Sequence, residues 1–131
     1  MQIERVLLID DSDIDNLVNR KVIERAGHTS SLVIKKSALE AFDYLKLIAA
    51  AEPQSIPQLI FLDIRMPDID GFGFLELFNN LPGLIKDQTR IVMLSSSIDS
   101  EDHNRAMQNP YVLHFFNKPL KKESVDMILT F

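Results

Sequence analysis

The run Val6-Leu7-Leu8-Ile9 is apolar without alternation, and it stops abruptly at Asp10-Asp11. A strand of that kind has no polar face to give to water, so it fits a sheet covered on both sides. Leu59-Ile60-Phe61-Leu62 repeats the pattern and stops at Asp63, and the apolar segment 112–116 runs up to Lys118-Pro119. Charge is costly beside buried strands, so three strand-terminal charges point to one shared site. In a parallel α/β sheet the carboxyl ends of the strands lie along one edge, where ligands bind.

The intervening segments supply helices. Ser12 or Asp13 can cap a helix in which Ile14, Leu17, Val18, Val22 and Ala26 recur at helical spacing as the apolar face, with Gly27 as the stop. Residues 29–34 read as a second strand, and Ser37 caps a helix whose apolar face includes Leu39, Phe42, Leu45 and Ile48. Residues 49–58, with Pro53 and Pro57, read as a loop. A loop from Asp63 to Gly71 leads into a Phe-rich helix ending near Leu81, and Pro82-Gly83 breaks it. Residues 91–94 form a fourth strand, 100–108 a polar fourth helix, 112–116 a fifth strand and 121–131 a fifth helix. Five strands alternating with five helices predict an α/β domain with a mostly parallel sheet.

With 131 residues the chain accommodates one domain, 1–131, and its 46% hydrophobic and 25% charged residues suit a globular core. The net charge of −5 argues against a general nucleic-acid binder. Without cysteine, neither a disulfide framework nor thiolate chemistry nor Cys-ligated zinc is available. No apolar run approaches the length of a signal core or a membrane span. The expected location is the cytoplasm.

Two carboxylates about 5 Å apart repel by roughly 3 kcal/mol at an effective dielectric of about 20. A group of three therefore needs a cation. Magnesium suits it, being a hard ion that takes carboxylate and phosphate oxygens, whereas zinc would call for a histidine beside the acids. A carboxylate next to magnesium can attack phosphorus, and Asp63 is the candidate nucleophile. Lys118 can place positive charge at the phosphoryl oxygens, and the hydroxyl of Ser95 or Ser96 can donate a hydrogen bond to them.

Taken singly, each mark has an ordinary explanation. Asp-Asp after a strand can cap a helix, Lys-Pro can make a turn, and Ser95-Ser96-Ser97 can lead into a helix. It is their occurrence together, each at a strand end, that points to chemistry. His28, His103 and His114 share no metal spacing, and Phe72, Phe74, Leu75, Phe78 and Leu81 suit core and groove. Capping and solvation account for Asp13 and Asp15, and Asp68 and Asp70 serve the turn before Gly71.

The segments Leu8-Ile9-Asp10-Asp11, Leu62-Asp63-Ile64-Arg65-Met66-Pro67-Asp68-Ile69-Asp70-Gly71, Val92-Met93-Leu94-Ser95-Ser96 and Lys118-Pro119 resemble the response-regulator receiver family of two-component signalling. The resemblance spans nearly the whole chain. It implies a flavodoxin-like, doubly wound five-stranded parallel sheet in the order 2-1-3-4-5. It further implies Asp63 as phosphoacceptor, Asp11 as a direct magnesium ligand, Asp10 acting largely through water, and the backbone carbonyl of Arg65 as a further ligand. Ser95 takes the place of the switch hydroxyl, Lys118 that of the phosphoryl-contacting lysine, and Phe115 that of the aromatic switch residue. Phe115 lacks a tyrosine's hydroxyl, and Arg65 departs from the small or polar side chains frequent at its position.

By the same resemblance the phosphodonor is a histidine kinase or histidine phosphotransfer protein. The downstream partner is an unspecified protein, met through the fourth helix, fifth strand and fifth helix. Candidate contact residues there are Asp102, Asn104, Arg105, Gln108, Lys121, Lys122 and Asp126. An ending at Phe131 leaves no output domain attached, as in a stand-alone receiver or one excised from a longer protein. A phosphatase of the haloacid dehalogenase type also forms an aspartyl phosphate, but it wants a second Asp where Arg65 stands. A pseudo-receiver that only binds partners is disfavoured by the intact acids and lysine.

Overall fold

The five apolar runs form one sheet. In a computed structural model that describes residues 3–97 and 99–129, strands β1 (Arg5–Ile9), β2 (Ser31–Lys35), β3 (Leu59–Asp63), β4 (Arg90–Ser95) and β5 (Val112–Asn117) are all parallel. Their order is β2-β1-β3-β4-β5, the flavodoxin-like arrangement. The chain order reverses direction beside β1 and β3. A crevice therefore opens between their carboxyl ends, at Asp10 and Asp63.

Side chains alternate across the sheet into two cores. Leu7, Ile9, Ile60, Leu62, Ile91 and Met93 face helices α2 (Ala38–Ala51), α3 (Gly71–Asn79), α4 (Gly83–Gln88) and α5 (Ser100–Met107). Val6, Leu8, Leu59, Phe61, Val92 and Leu94 face α1 (Asp13–Ala26) and α6 (Lys122–Leu129). β1 and β3 are buried almost throughout, as runs without alternation require.

Several expected boundaries move. The described residues contain six helices instead of five, because Pro82 ends α3 and then starts α4; proline's fixed φ suits a helix start, and Ile85 anchors the turn in the core. Helix α2 runs through the alanines to Ala51, since alanine propagates a helix and Pro53 ends it only two residues later, in a short 3-10 turn at Pro53–Ser55. β2 starts at Ser31 instead of residue 29. The fifth predicted helix is α6, and residues 130 and 131 of that expectation lie outside the described residues, as do 1, 2 and 98 of the expected domain.

The largest departure is in α1. Its apolar residues Ile14, Leu17 and Val18 are 74%, 54% and 42% exposed, whereas Asn16, Asn19 and Ile23 are buried. The first turns of the helix are thus rotated relative to the hydrophobic pattern, whereas Val22 and Ala26 pack against the core as that pattern expects. Asn16 explains part of the turn: its Nδ2 donates to the carbonyl of Asp10 at 2.8 Å and ties α1 to the end of β1. In α2 a smaller rotation leaves Leu39 53% exposed and puts Ala38, Ala41 and Leu45 inside.

Candidate functional site at the carboxyl edge of the sheet

Asp10 follows β1 directly and is buried. One carboxylate oxygen accepts the Ser12 N–H at 2.9 Å, and the other accepts from the Lys118 ammonium at 2.7 Å. Ser12 in turn caps α1 by accepting from Asp15 N–H. Asp11, one residue on, is exposed. Strand and helix therefore meet in a turn that buries one acid and leaves its neighbour open to solvent.

Asp63 closes β3 and is also buried. The chain then loops back, and Gly71 donates its N–H to the Ile64 carbonyl at 2.9 Å. A Cβ on Gly71 would lie 2.9 Å from both the Asp63 carbonyl oxygen and the Ile64 Cα. Only glycine lets α3 start this close behind the acid. Asp70 caps α3 through the Gly73 N–H, and Asp68 adopts φ 65°, so both serve the turn.

Lys118 leaves β5 with its N–H on the Ser95 carbonyl at 2.8 Å. Its ammonium lies 2.7 Å from Asp10, 2.9 Å from Asp15 and 3.0 Å from Asp63. An ammonium has three donors. All three face carboxylates.

Burial pulls the Lys118 pKa down, but hydrogen bonds to Asp10, Asp15 and Asp63 outweigh it and hold the ammonium above its ordinary value. Burial raises the Asp63 pKa; the Lys118 hydrogen bond opposes this, the Asp10 charge reinforces it, and the net shift is upward. A hydrogen bond from the Arg65 backbone also favours the ionised carboxylate. The lysine thus offsets only part of the cost of burying this carboxylate beside Asp10.

Carboxylate oxygens of Asp10, Asp11 and Asp63 lie within 4.8 Å of one another. This all-oxygen, hard donor set, with one acid open to solvent, fits magnesium, which keeps several waters and takes few carboxylates. It offers no soft or imidazole ligand that would favour zinc.

The remaining predicted residues lie outside this cluster of acids. The Ser95 hydroxyl is buried and donates to the Ser97 carbonyl at 2.7 Å, so it is engaged within its own loop. Phe115 is half-buried and packs against the His103 ring of α5, with centroids 5.4 Å apart. The Arg65 side chain turns outward to Asp102 of α5, at 3.1 Å. Arg105 lies over the Phe72 ring at 4.1 Å, Lys122 pairs with Asp126, and Asn104, Gln108 and Lys121 are exposed.

Three contributors escaped the sequence reading. Asp15 is a partner of Lys118 and more than a solvated first-turn acid; its contact joins residues 103 apart, which no local pattern reveals. Asn16 looks like a misplaced polar residue until its bond to Asp10 is seen. Gly71 carried a signal, a glycine closing the acceptor loop, but its close approach depends on the tertiary fold.

The family model for the response regulator receiver domain matches residues 6–130. The probable methanogenesis regulatory protein FilR2 of Methanothrix harundinacea is 28% identical over 120 residues, covering 92% of this chain and 75% of that protein. The sensor histidine kinase CheAY of Helicobacter pylori is 28% identical over 130 residues, and there the match spans 95% of this chain but 14% of the kinase. A crystal structure of a two-component response regulator from Cytophaga hutchinsonii superposes with a TM-score of 0.89 at 31% identity, covering 97% of this chain and 94% of the other.

Proposed function

The chain belongs to the response regulator receiver domain family, and we propose that residues 1–131 form one receiver that accepts a phosphoryl group on Asp63. The donor in this reading is a histidine kinase or histidine phosphotransfer protein, and the result is a signalling switch in place of turnover of a separate substrate. The observation that carries it is the Lys118 ammonium 3.0 Å from a buried Asp63, with Asp10 and Asp11 oxygens beside it. A haloacid-dehalogenase-type phosphatase lacks its general acid here, because Arg65 fills that position and its side chain is directed to Asp102.

Asp63 attacks phosphorus with one carboxylate oxygen. An O–P bond forms, the N–P bond of the donor phosphohistidine breaks, and the imidazole nitrogen leaves with the electron pair. Asp10, Asp11, Asp63 and the backbone carbonyl of Arg65 would hold magnesium, which when bound supplies positive charge to phosphoryl oxygens. Lys118, already fixed at Asp63, is placed to meet the developing charge once it exchanges one of its carboxylates for a phosphoryl oxygen. Protein donors would dock beside this mouth, where Val18 of α1 lines a cavity with Asp15, Asn19, Ser96, Lys118 and Pro119 and the same helix exposes Ile14 and Leu17.

The new phosphoryl oxygens compete for the Ser95 hydroxyl, which would leave the Ser97 carbonyl and turn toward Asp63. Phe115 would then move into the vacated space and away from His103, changing the surface of α5, β5 and α6 that a downstream protein reads. Among the described residues no helix is long and apolar enough to cross a membrane, and a cytoplasmic location is part of this reading. The test is incubation with acetyl phosphate and magnesium, read by intact-mass spectrometry. Wild type should gain one phosphoryl mass, and Asp63→Asn should gain none. No gain in wild type, or equal gain in the variant, would remove the proposal.

A further inference from the structure

Helix α5 is held to the body by few anchors. Ala106 is its only buried side chain among the described residues. Three of its further contacts reach residues close in sequence to the site residues. Asp102 holds Arg65, two residues after Asp63; His103 holds Phe115, three residues before Lys118; Arg105 holds Phe72, next to Gly71.

The charge balance at the acceptor singles out the first of these contacts. Phosphorylation turns a carboxylate with one negative charge into an acyl phosphate with about two, and it adds three acceptor oxygens. Lys118 has its three donors committed to Asp10, Asp15 and Asp63, so it reaches a phosphoryl oxygen only by releasing a carboxylate. Arg65 is placed differently. It stands two residues after the acceptor, so its side chain begins beside the site. The guanidinium has five N–H donors, and a single nitrogen contact, Nη2 to Asp102 at 3.1 Å, holds it where it is.

That contact is easily exchanged. The Arg65 side chain is 59% exposed and that of Asp102 21%, and exposed ion pairs contribute little. A phosphoryl group offers the guanidinium more charge and a bidentate geometry. Resting on the reading of Asp63 as acceptor, we propose that Arg65 exchanges Asp102 for the phosphoryl group when Asp63 is modified, so that it contacts the phosphoryl oxygens and releases α5. Arg65 is then both a second cation of the site and the link from the site to the helix.

Partner exchange has a signature that a merely structural ion pair lacks. Asp102→Asn frees Arg65 in the unmodified protein and should favour the modified state. Arg65→Gln removes the cation and should disfavour it. The experiment is titration of beryllofluoride with magnesium into wild type, Asp102→Asn, Arg65→Gln and the double variant, followed by fluorine NMR. Asp102→Asn should lower the apparent Kd about two- to fivefold and Arg65→Gln should raise it by a similar factor. In the Arg65→Gln background, Asp102→Asn should have no effect.

Shifts of the same sign in both single variants, no shift in either, or an Asp102→Asn effect that survives in the double variant would overturn the exchange. Amide spectra supply a control for folding and a second readout: α5 resonances of wild type bound to beryllofluoride should resemble those of unmodified Asp102→Asn. If wild type itself gives no fluorine signal, or Asp63→Asn gives the same one, the acceptor assignment has failed and the exchange fails with it.

Discussion

Lys118 donates to Asp15 across 2.9 Å and so joins the end of β5 to the first turn of α1. This contact uses the third donor of an ammonium whose other two serve Asp10 and Asp63. Asp15 therefore competes with an incoming phosphoryl group for the same proton donor.

Removing that competitor should help modification. Asp15→Ala is expected to tighten beryllofluoride binding about two- to fivefold, while stability changes by less than about 1 kcal/mol because the Asp15 side chain is 42% exposed. Asp13→Ala is the control, since Asp13 pairs with Lys36 at 2.7 Å and makes no contact with Lys118. Fluorine NMR titration and thermal melts measure the two effects.

Losing the lysine should be severe. Lys118→Ala leaves Asp10 and Asp63, with side chains 1% and 4% exposed, without their cation. A loss of about 3 kcal/mol in urea unfolding at neutral pH without divalent ions is expected. Because the folded pKa of Lys118 is raised, its stabilising contribution is complete below its unfolded value near 10.5 and is lost as pH rises through the folded value. The gap between wild type and variant should stay constant through neutral pH and narrow only in strong alkali.

Asp63 carries the opposite sign. Its carboxyl pKa is raised, chiefly by burial, so the folded state favours its protonated form. With metal chelated, the stability contributed at this position should fall as pH rises from the ordinary aspartate value, about 4, through the raised folded value. Melting curves of wild type and Asp63→Asn should converge in acid. At neutral pH the variant should melt a few degrees higher, and a wild type more stable than Asp63→Asn there would contradict the assignment.

Magnesium should relieve the same strain. At a concentration one hundred times Kd, binding stabilises the fold by about 2.7 kcal/mol, visible as a raised melting temperature. Asp11→Ala should abolish most of that rise yet hardly alter the metal-free melt, since Asp11 is exposed. Calorimetric melts with and without the ion decide this.

Buried strands and their terminal charges were legible because both follow from local physics: a sheet covered on two faces excludes polar residues, and charge must stop where burial stops. Asp10, Asp11, Asp63 and Lys118 accordingly come together as their positions at strand ends imply. The orientation of α1 was not legible, because periodicity gives an apolar stripe without saying that Asn16 will be drawn inward by the Asp10 carbonyl. Nor was the role of Asp15, whose first-turn position has a sufficient local explanation and whose partner lies on the far side of the sequence. Pro82 carried two meanings, the end of one helix and the start of another, and composition alone favoured the first.

Chemical trapping tests directly whether an oxygen of Asp63 is the atom that bonds to phosphorus. After reaction with acetyl phosphate and magnesium, borohydride reduction converts an aspartyl phosphate to homoserine, which peptide mapping locates. Homoserine at position 63 and at no other acid is the predicted result. Homoserine at position 10, 11 or 15, or none under conditions that yield a phosphorylated mass, would contradict it.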